Sequence, residues 1–237
     1  MKIFGLIGKN LTHSYSKKYF NHKFKKENIN ARYLNFELND ISKFLDIISK
    51  KEIHGLNVTT PYKSSIIPFL DEVKIPAKSI NSINTIEFKE NKMIGHNTDL
   101  IGFTNSFINI AENRNKALIL GNGGSAKTIR YALDQLNIHH ETVSRNGRLN
   151  YAHLTEKSIR YYDIIINTTI LGMFPNVKDL PDIPYKGLSR KHLLFDLIYN
   201  PEETAFLNIG KTKGCKIKNG SEMLNIQAEE SWKIWSL

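Results

Sequence analysis

The feature that most constrains this chain is a glycine-rich turn between a short apolar run and a helical stretch. Residues 117–120 are apolar, and they are followed at once by Gly121-Asn122-Gly123-Gly124-Ser125-Ala126, with the spacing G-x-G-x-x-A. In this spacing the first glycine permits a tight turn, the second lets a pyrophosphate approach the backbone, and the small last residue lets the helix pack on its strand. The backbone N–H groups of the helix N-terminus favour phosphate oxygens. A tight turn that needs small residues only for packing is the simpler alternative, and the ordered strand, turn and helix favour dinucleotide binding.

Short β-branched runs alternate with longer amphipathic stretches along the whole chain, which predicts an α/β fold with a mainly parallel sheet. Strands are predicted near residues 2–7, 32–38, 53–59, 82–88, 117–121, 140–144, 162–167, 193–197 and 214–218, and helices near 16–28, 40–50, 99–111 and 221–236. The chain turns polar and charged at residues 112–116, so a second α/β lobe is predicted to begin there. The helix predicted at 221–236 has a large apolar face, which is expected to pack against one of the lobes.

The residues after the next predicted strand bear on which dinucleotide is bound. They are Ser144-Arg145-Asn146. An arginine at this point suits a 2′-phosphate, whereas a carboxylate pairs with a free 2′-hydroxyl, so Arg145 favours NADP. Glu141 lies at about the right distance for the acid of an NAD site, but it falls inside the strand. An ordinary exposed arginine is the alternative interpretation of Arg145.

Polar side chains cluster where the predicted strand at 53–59 ends. In the segment Gly55 to Lys63, we expect Asn57, Thr59 and Lys63 to converge on a hydroxylated substrate, because open α/β sheets bind ligands at the carboxyl ends of strands. Taken singly, Lys63 is one lysine among many and would be a solvated side chain. Similar polar loops occur at His13 to Ser16, Ser82 to Thr85 and Gly95 to Asp99.

Composition excludes several classes of protein. The net charge of +10 is spread along 237 residues, which favours a solvated surface over a nucleic-acid-binding module whose only support is that charge. The single Cys215 cannot form an internal disulfide, and no segment approaches the ~20 apolar residues of a membrane span, so a cytoplasmic protein is expected. The histidines lack metal-ligand spacing, so we expect no metal, with His13 and His96 as loop-supporting hydrogen-bond partners.

Eight ordered motifs together resemble the shikimate dehydrogenase family over nearly the whole chain. They are His13–Ser16 for H-S-x-S, Gly55–Lys63 for G-x-N-V-T-x-P-x-K, Ile83–Thr85 for V-N-T, Gly95–Gly102 for G-x-N-T-D-x-x-G, Gly121–Ala126 for G-x-G-G-x-x, Asn167–Met173 for N-A-T-x-x-G-M, Asp196–Thr204 for D-x-x-Y-x-P-x-x-T and Gly220–Gln227 for G-x-x-M-L-x-x-Q. The resemblance implies an enzyme that reduces 3-dehydroshikimate to shikimate with NADPH, in aromatic amino acid (chorismate) biosynthesis. It also implies a small-molecule substrate, no nucleic-acid or membrane partner, and a monomer or homodimer.

The resemblance further implies a role for each matching residue. Lys63 and Asp99 would be the catalytic pair. The substrate would be held by Ser14, Ser16, Thr59, Lys63, Asn84, Asp99, Tyr199 and Gln227. The cofactor would be bound by Gly121, Asn122, Gly123, Gly124, Ser125, Ala126, Ser144, Arg145, Asn146, Thr168, Met173 and Gly220. The closing helix would return to the first lobe to deliver Gln227, so the substrate-binding and catalytic domain is predicted at 1–112 plus 221–237 and the Rossmann-like NADP domain at 113–220.

The chain departs from the family pattern at a few positions. Lys17 stands where proline is usual, Ile170 where serine is frequent, and Ser144-Arg145-Asn146 where N-R-T is common. Two alternatives within the family stay open: a relative that oxidises quinate or prefers NAD, and a homologue without catalytic activity. The retained Lys63, Asp99 and Gln227 disfavour the idle homologue.

Overall fold

A computed structural model describes residues 1–12, 14–49 and 51–236. The chain forms two compact units, one made of Met1–Thr98 with Ala228–Leu237 and the other of Asp99–Gln227. The domain limits predicted from the polarity of the chain, after residues 112 and 220, differ from these contact-based limits and remain a prediction. The first unit is discontinuous in sequence, because the end of the terminal helix belongs to it.

The first unit is built on a mixed sheet of six strands in the order β2-β1-β3-β5-β6-β4. Its elements are β1 (Lys2–Gly8), α1 (Tyr15–Lys26), β2 (Ala31–Glu37), α2 (Phe44–Ser49), β3 (Gly55–Val58), β4 (Glu72–Val73), α3 (Ala77–Ile80), β5 (Thr85–Lys89) and β6 (Lys92–His96). β1 pairs in parallel with β2 and β3, while β5 runs antiparallel to β3 and β6. The strands predicted in this half are present, and β4 and β6 are additional.

The β5–β6 hairpin corrects one expectation from the sequence. Gly95 and His96 were assigned to a polar loop, and the structure places both in β6. The turn residues Glu90 and Asn91 have φ values of +49° and +60°. Both residues adopt the left-handed backbone conformation that a two-residue hairpin turn requires, although neither is a glycine.

The second unit contains a sheet of five strands, all parallel, in the order β11-β10-β9-β7-β8. Its elements are α4 (Asp99–Ala111), β7 (Lys116–Leu120), α5 (Gly124–Gln135), β8 (His139–Val143), α6 (Glu156–Tyr161), β9 (Ile164–Asn167), β10 (Leu193–Asp196), α7 (Ala205–Thr212) and β11 (Lys216–Lys218), and they are followed by α8 (Ser221–Ser236). The strand order reverses at β7, which has β8 on one side and β9 on the other. The predicted Rossmann-like sheet is therefore confirmed, and such a reversal is where these sheets bind ligands.

The central strands of this sheet are buried on both faces. Every residue of β9 and β10 is buried, and their sequences are almost continuous apolar runs, as expected for parallel strands covered by helices. On one face, Phe103 and Phe107 of α4 pack near Phe195 of β10, with ring centroids 5.2 and 6.0 Å from it. This packing fixes the carboxyl ends of the strands, where the predicted site residues lie.

The terminal helix α8 contributes to both cores. Met223 lies in a core cluster of the second unit, whereas Trp232 and Trp235 pack against Phe4 in the first unit. The Trp235 indole N–H donates to the carbonyl oxygen of Ile86 at 3.0 Å. The predicted return of the closing helix to the first lobe is thus confirmed. Among the described residues, no helix combines the length and apolar character that crossing a bilayer demands.

Candidate active site

The glycine turn of the second unit leaves space beside its backbone. Gly121 has a φ of +105°, and a Cβ at this position would lie 2.8 Å from Oγ1 of Thr168. A Cβ at Gly123 would meet none of the described atoms within 4 Å, so open space lies over the turn. α5 begins at Gly124, no side chain caps its N-terminus, and Ala126 is fully buried. The predicted roles of the three small residues therefore match their surroundings.

Asn122, at the tip of the turn, is held in place by a side chain from α5. The Arg130 guanidinium donates to Oδ1 of Asn122 at 2.8 Å. Ser125 lies in the first turn of α5 and is half-buried. The turn is therefore anchored from the helix that follows it.

The segment after β8 forms a tight turn that presents Arg145. The Gly147 N–H donates to the carbonyl oxygen of Ser144 at 3.3 Å, and Arg145 and Asn146 are exposed at its tip. Burial raises the pKa of Tyr151, and the positive charge of Arg145 acts to lower it. The guanidinium of Arg145 is thus exposed at the carboxyl end of β8, near the Tyr151 hydroxyl.

Glu141, the alternative acid for an NAD-type site, has another partner. It lies within β8, and Oε2 of its carboxylate accepts a hydrogen bond from the Tyr162 hydroxyl at 2.5 Å. Burial raises the pKa of Tyr162, and this hydrogen bond raises it further. The carboxylate does not stand at the end of the strand, where an acid would meet a ribose hydroxyl.

The loop after β9 lies next to the glycine turn. The backbone N–H and the hydroxyl of Thr168 donate to the carbonyl oxygen of Leu120 at 2.9 and 2.7 Å. Oδ1 of Asn167 accepts from the backbone N–H and the hydroxyl of Thr169 at 3.0 and 2.7 Å. Met173, near the end of the loop, is 38% exposed. β7 and β9 are neighbours, so Gly121 and Thr168 meet at the reversal point of the sheet.

A buried carboxylate organises the loops that follow β9 and β10. Asp196 is fully buried and accepts from Nδ2 of Asn167 at 3.0 Å, the N–H of Ile198 at 3.0 Å and the hydroxyl of Thr204 at 2.6 Å. Burial raises the pKa of Asp196 to about 6, against the effect of these three hydrogen bonds. The sequence motif contains this aspartate, but the sequence analysis gave it no role.

Tyr199 and Gly220 lie in segments joined to this carboxylate. The Gly220 N–H donates to the carbonyl oxygen of Ile198 at 3.0 Å. A Cβ at Gly220 would lie only 2.1 Å from the carbonyl oxygen of Leu197, so the backbones approach too closely for any other residue. Tyr199 is half-buried in the same segment. The predicted cofactor residues thus lie on the loops that follow β7, β8 and β9, in the first turn of α5 and just before α8, whereas Tyr199, predicted to bind substrate, follows β10.

Asp99 and Gln227 lie on two helices of the second unit that touch. Asp99 is the first residue of α4, where the helix dipole favours a carboxylate, and it is 6% exposed. A Cβ at Gly102 would lie 2.6 Å from the carbonyl oxygen of Met223 and 3.1 Å from Cβ of Gln227. Gly102 therefore lets α8 approach α4 one turn after Asp99, which explains the last glycine of the G-x-N-T-D-x-x-G motif.

In the first unit, Ser14 caps α1 through a bond that its relatives' usual proline would not allow. Oγ of Ser14 accepts from the backbone N–H of Lys17 at 3.2 Å. Proline has no N–H, so the departure at Lys17 supplies a cap that a proline would remove. His13, the first residue of this motif, lies outside the described residues.

The other residues predicted to bind substrate in this unit lie at or near strand ends. Ser16 lies in the first turn of α1 and is 9% exposed. Thr59 follows β3, and its N–H donates to the carbonyl oxygen of Ile7 at 2.8 Å. Lys63 is half-buried, and its carbonyl oxygen accepts from the Ile83 N–H at 2.7 Å.

Asn84 is held by both ends of its amide. Its Nδ2 donates to Oγ1 of Thr98 at 2.9 Å, and its Oδ1 accepts from the N–H of Thr98 at 2.7 Å. The Asn84 side chain is therefore fixed in orientation. His96, on the neighbouring strand, pairs with Glu87 at 3.0 Å, and burial lowers the pKa of the His96 ring, so this histidine supports the hairpin.

Asn57, which was also expected to converge on the substrate, has partners within the first unit. The sequence places it beside Thr59 and Lys63, which suggested a substrate ligand. The structure turns its side chain inward, where it is 4% exposed and hydrogen-bonded to protein groups. Alternation along β3 does not reveal this orientation, because every residue of the strand is buried.

Comparison with known proteins identifies what the chain is similar to. Residues 6–86 match the family model described as the shikimate dehydrogenase substrate binding domain. A curated protein of Clostridium botulinum, "Shikimate dehydrogenase (NADP(+))", is 39% identical over 248 residues, which cover 98% of this chain and 96% of that protein.

Solved structures agree with the sequence matches. Shikimate dehydrogenase 1 from Peptoclostridium difficile is 37% identical, with a TM-score of 0.87, and the match covers 100% of this chain and 92% of that one. A shikimate dehydrogenase in complex with NADP⁺ is 32% identical, with a TM-score of 0.85, and the match covers 100% of this chain and 90% of that one.

Proposed function

This chain belongs to the shikimate dehydrogenase family, and we propose that Lys63 and Asp99 carry out the chemistry of its reaction. The enzyme is an NADP-dependent oxidoreductase that interconverts 3-dehydroshikimate and shikimate, a step of aromatic amino acid biosynthesis. The assignment of individual residues is our proposal. It is supported by where each of them lies within its own unit.

The reaction sets a requirement that Lys63 satisfies. Reduction of a ketone leaves negative charge on its oxygen, so the site needs a cation or a proton donor within hydrogen-bond reach. The Lys63 ammonium would donate that proton in reduction and, once neutral, accept it back in oxidation. The Asp99 carboxylate would orient the ammonium and accept a hydrogen bond from a neighbouring substrate hydroxyl.

Ser14 suits the carboxylate of the substrate. Its oxygen already accepts the Lys17 N–H, so the hydroxyl hydrogen is what it can offer to a ligand. Ser14 and Ser16 lie at the N-terminus of α1, where the helix dipole favours negative charge. Thr59, Asn84, Tyr199 and Gln227 would bind the remaining polar groups of the substrate.

The residues of the second unit fit NADP. The open space over Gly123 is the observation that carries this part of the proposal, because a phosphate needs to approach the backbone there. Arg145 would pair with the 2′-phosphate, and Thr168, Met173 and Gly220 would line the remainder of the cofactor site. When bound, NADP supplies the redox chemistry, and the protein supplies binding and orientation.

The proposed function is tested by steady-state assays with shikimate or quinate, each with NADP or NAD, at alkaline pH, which favours oxidation. Absorbance of the reduced cofactor should rise most with shikimate and NADP, with the highest kcat/KM of the four pairs. Highest kcat/KM with quinate, or with NAD, would identify the rival relative instead. No reduction with any pair would identify a catalytically idle homologue.

A further inference from the structure

The side chain of Asn167, at the end of β9, lies inside the loop that follows this strand. We call residues 168–173 the β9 loop. Oδ1 of Asn167 accepts from the N–H and the hydroxyl of Thr169 at 3.0 and 2.7 Å, and its Nδ2 donates to the carbonyl oxygen of Leu171 at 3.3 Å. The Thr169 hydroxyl in turn accepts from the N–H of Leu171 at 3.2 Å. The first half of the β9 loop therefore folds around one buried carboxamide.

Asp196, on the neighbouring strand β10, fixes the orientation of this carboxamide. Its Oδ1 accepts from Nδ2 of Asn167 at 3.0 Å. A carboxylate has no proton to donate, so the Asn167 side chain must turn its nitrogen toward Asp196 and its oxygen toward Thr169. The reversed amide would set its oxygen against the carboxylate and its N–H groups against the N–H of Thr169. Asp196 thus determines which end of the Asn167 amide faces the start of the β9 loop.

The hydrogen-bonding capacity of Asn167 is filled by protein groups. A carboxamide has two N–H donors and an oxygen with two lone pairs. The two donors go to Leu171 and Asp196, and the two hydrogen bonds to the oxygen come from Thr169. Asn167 is also 0% exposed. A contribution of Asn167 to ligand binding would therefore pass through the β9 loop.

The β9 loop begins and ends with residues that we propose to bind the cofactor. Thr168 lies beside the glycine turn, because a Cβ at Gly121 would be 2.8 Å from its Oγ1. Met173, at the other end, is 38% exposed, and its N–H donates to the carbonyl oxygen of Ile170 at 3.1 Å. The residues held by the Asn167 carboxamide lie between Thr168 and Met173 in sequence. The carboxamide therefore fixes the path of the backbone from the glycine turn to Met173.

We propose that Asn167, oriented by Asp196, is a positioning residue for the cofactor, which holds Thr168 and Met173 in the arrangement that binds the dinucleotide. The inference rests on the proposed function, because Thr168 and Met173 are cofactor residues only within that proposal. It extends that function by giving a role to an asparagine and an aspartate for which the resemblance implied none.

Thr169→Val keeps the shape of the side chain and removes the hydroxyl that joins the β9 loop to Asn167. Without this hydrogen bond the loop should adopt its binding conformation for a smaller fraction of the time, and the apparent Kd rises as that fraction falls. We expect the Kd for NADP, measured by isothermal titration calorimetry, to rise by about 3- to 10-fold. At saturating NADP, the kcat for shikimate oxidation should change by less than about 3-fold, because Lys63 and Asp99 are untouched.

A double-mutant cycle with Asn167→Ala separates positioning from direct contact between Thr169 and the cofactor. Asn167→Ala removes the carboxamide itself and should raise the Kd for NADP by about 10-fold or more. In this background, Thr169→Val should raise the Kd by less than about 2-fold, since the Thr169 hydroxyl has no carboxamide left to bind.

Tyr162→Phe is the matched control for the loss of one hydroxyl hydrogen bond in the same unit. Tyr162 is a buried residue just before β9, at the end of the strand opposite Asn167, and its hydroxyl donates to the Glu141 carboxylate at 2.5 Å. The Kd of this variant for NADP should stay within about 2-fold of wild type. Thr169→Val and Tyr162→Phe both keep the volume of their side chain, so this pair decides the question even if Asn167→Ala does not fold.

The outcomes distinguish the inference from the function on which it rests. If the wild-type chain binds NADP and Thr169→Val binds it equally well, the inference is wrong and the proposed function stands. An equal rise in Kd in both backgrounds would mean that Thr169 contacts the cofactor directly, and an equal rise in Tyr162→Phe would mean a general loss of structure. Either result would overturn the inference. A wild-type chain that does not bind NADP would refute the proposed function, and the inference with it.

Discussion

The loops proposed to bind ligands are held by a neutral buried group in the first unit and by a charged one in the second. In the first unit the central group is the neutral amide of Asn57, which is 4% exposed, and in the second it is the carboxylate of Asp196, which is 0% exposed. The hydrogen-bond donors and acceptors around each position explain why one is an amide and the other a carboxylate. Asn57 meets both a donor and several acceptors, so its side chain must donate and accept. Asp196 meets three donors, so an acceptor-only group suits it.

This difference shows what burial costs in each unit. A buried amide with satisfied partners carries no charge to desolvate. A buried carboxylate does, and the pKa of Asp196, raised to about 6, records that cost. The substrate unit should therefore have a central group that is insensitive to pH, whereas the cofactor unit has one that titrates.

The largest expected effect concerns Lys63 in the first unit, the proposed proton donor of the reaction. Lys63→Ala should lower kcat by about 10²- to 10⁴-fold, since it removes the proposed proton donor, with little change in the KM for shikimate. Steady-state kinetics check this. A raised KM with kcat nearly unchanged would mean that Lys63 anchors the substrate instead.

Replacing the neutral amide of Asn57 by a carboxylate should strongly destabilise the folded protein. Asn57→Asp keeps the shape but places a carboxylate against the carbonyl oxygen of Asn84, and leaves the Nδ2 acceptors without their donor. We expect a loss of about 3 kcal/mol in the free energy of unfolding, measured by urea denaturation at neutral pH. A loss below about 1 kcal/mol would show that position 57 tolerates a buried charge. The two units would then not differ in the kind of central group that they require.

The second unit should differ from the first in how its stability depends on pH, because Asp196 titrates and Asn57 does not. Its pKa rises on folding from an ordinary value of 3.8 to about 6. The protonated form therefore stabilises the folded state fully below pH 3.8, and this contribution is lost as the pH rises through about 6.

The variant Asp196→Asn isolates this contribution, because an amide does not titrate. The free energy of unfolding of wild type, minus that of Asp196→Asn, should fall by about 2.4 kcal/mol between pH 4 and pH 7. Urea denaturation across this range measures it. A difference that stays constant, or that grows with pH, would contradict the assigned pKa shift.

The smallest expected effect lies at the exposed edge of the cofactor unit. Arg145→Ala should raise the KM for NADPH by about 10-fold through loss of the charge pair with the 2′-phosphate, and should leave the KM for NADH nearly unchanged. Kinetics with both cofactors check this. Equal losses for NADPH and NADH would refute a 2′-phosphate role for Arg145.

The periodic elements of the fold could be predicted from the sequence, and the hairpin could not. α4 and α8 begin and end where their apolar spacing indicates, and the parallel strands follow from apolar runs between helices. β6 was missed because its turn uses Glu90 and Asn91 in left-handed conformations instead of the glycine that usually marks such turns.

The candidate site also contains features that could be predicted from the sequence and features that could not. The glycine turn could be predicted because each small residue has a local reason for its size. The inward orientation of Asn57 and the burial of Asp196 depend on partners distant in sequence, such as Ser231 and Thr204, which spacing along the chain does not reveal.

The most direct test of the account follows hydrogen from substrate to cofactor. Shikimate deuterated at the carbon whose hydroxyl becomes the ketone would be oxidised by the wild-type enzyme with NADP, and the reduced cofactor analysed by mass spectrometry. The account predicts that the reduced cofactor carries a single deuterium. Reduced NADP without deuterium would contradict hydride transfer, and with it the roles assigned to Lys63 and Asp99.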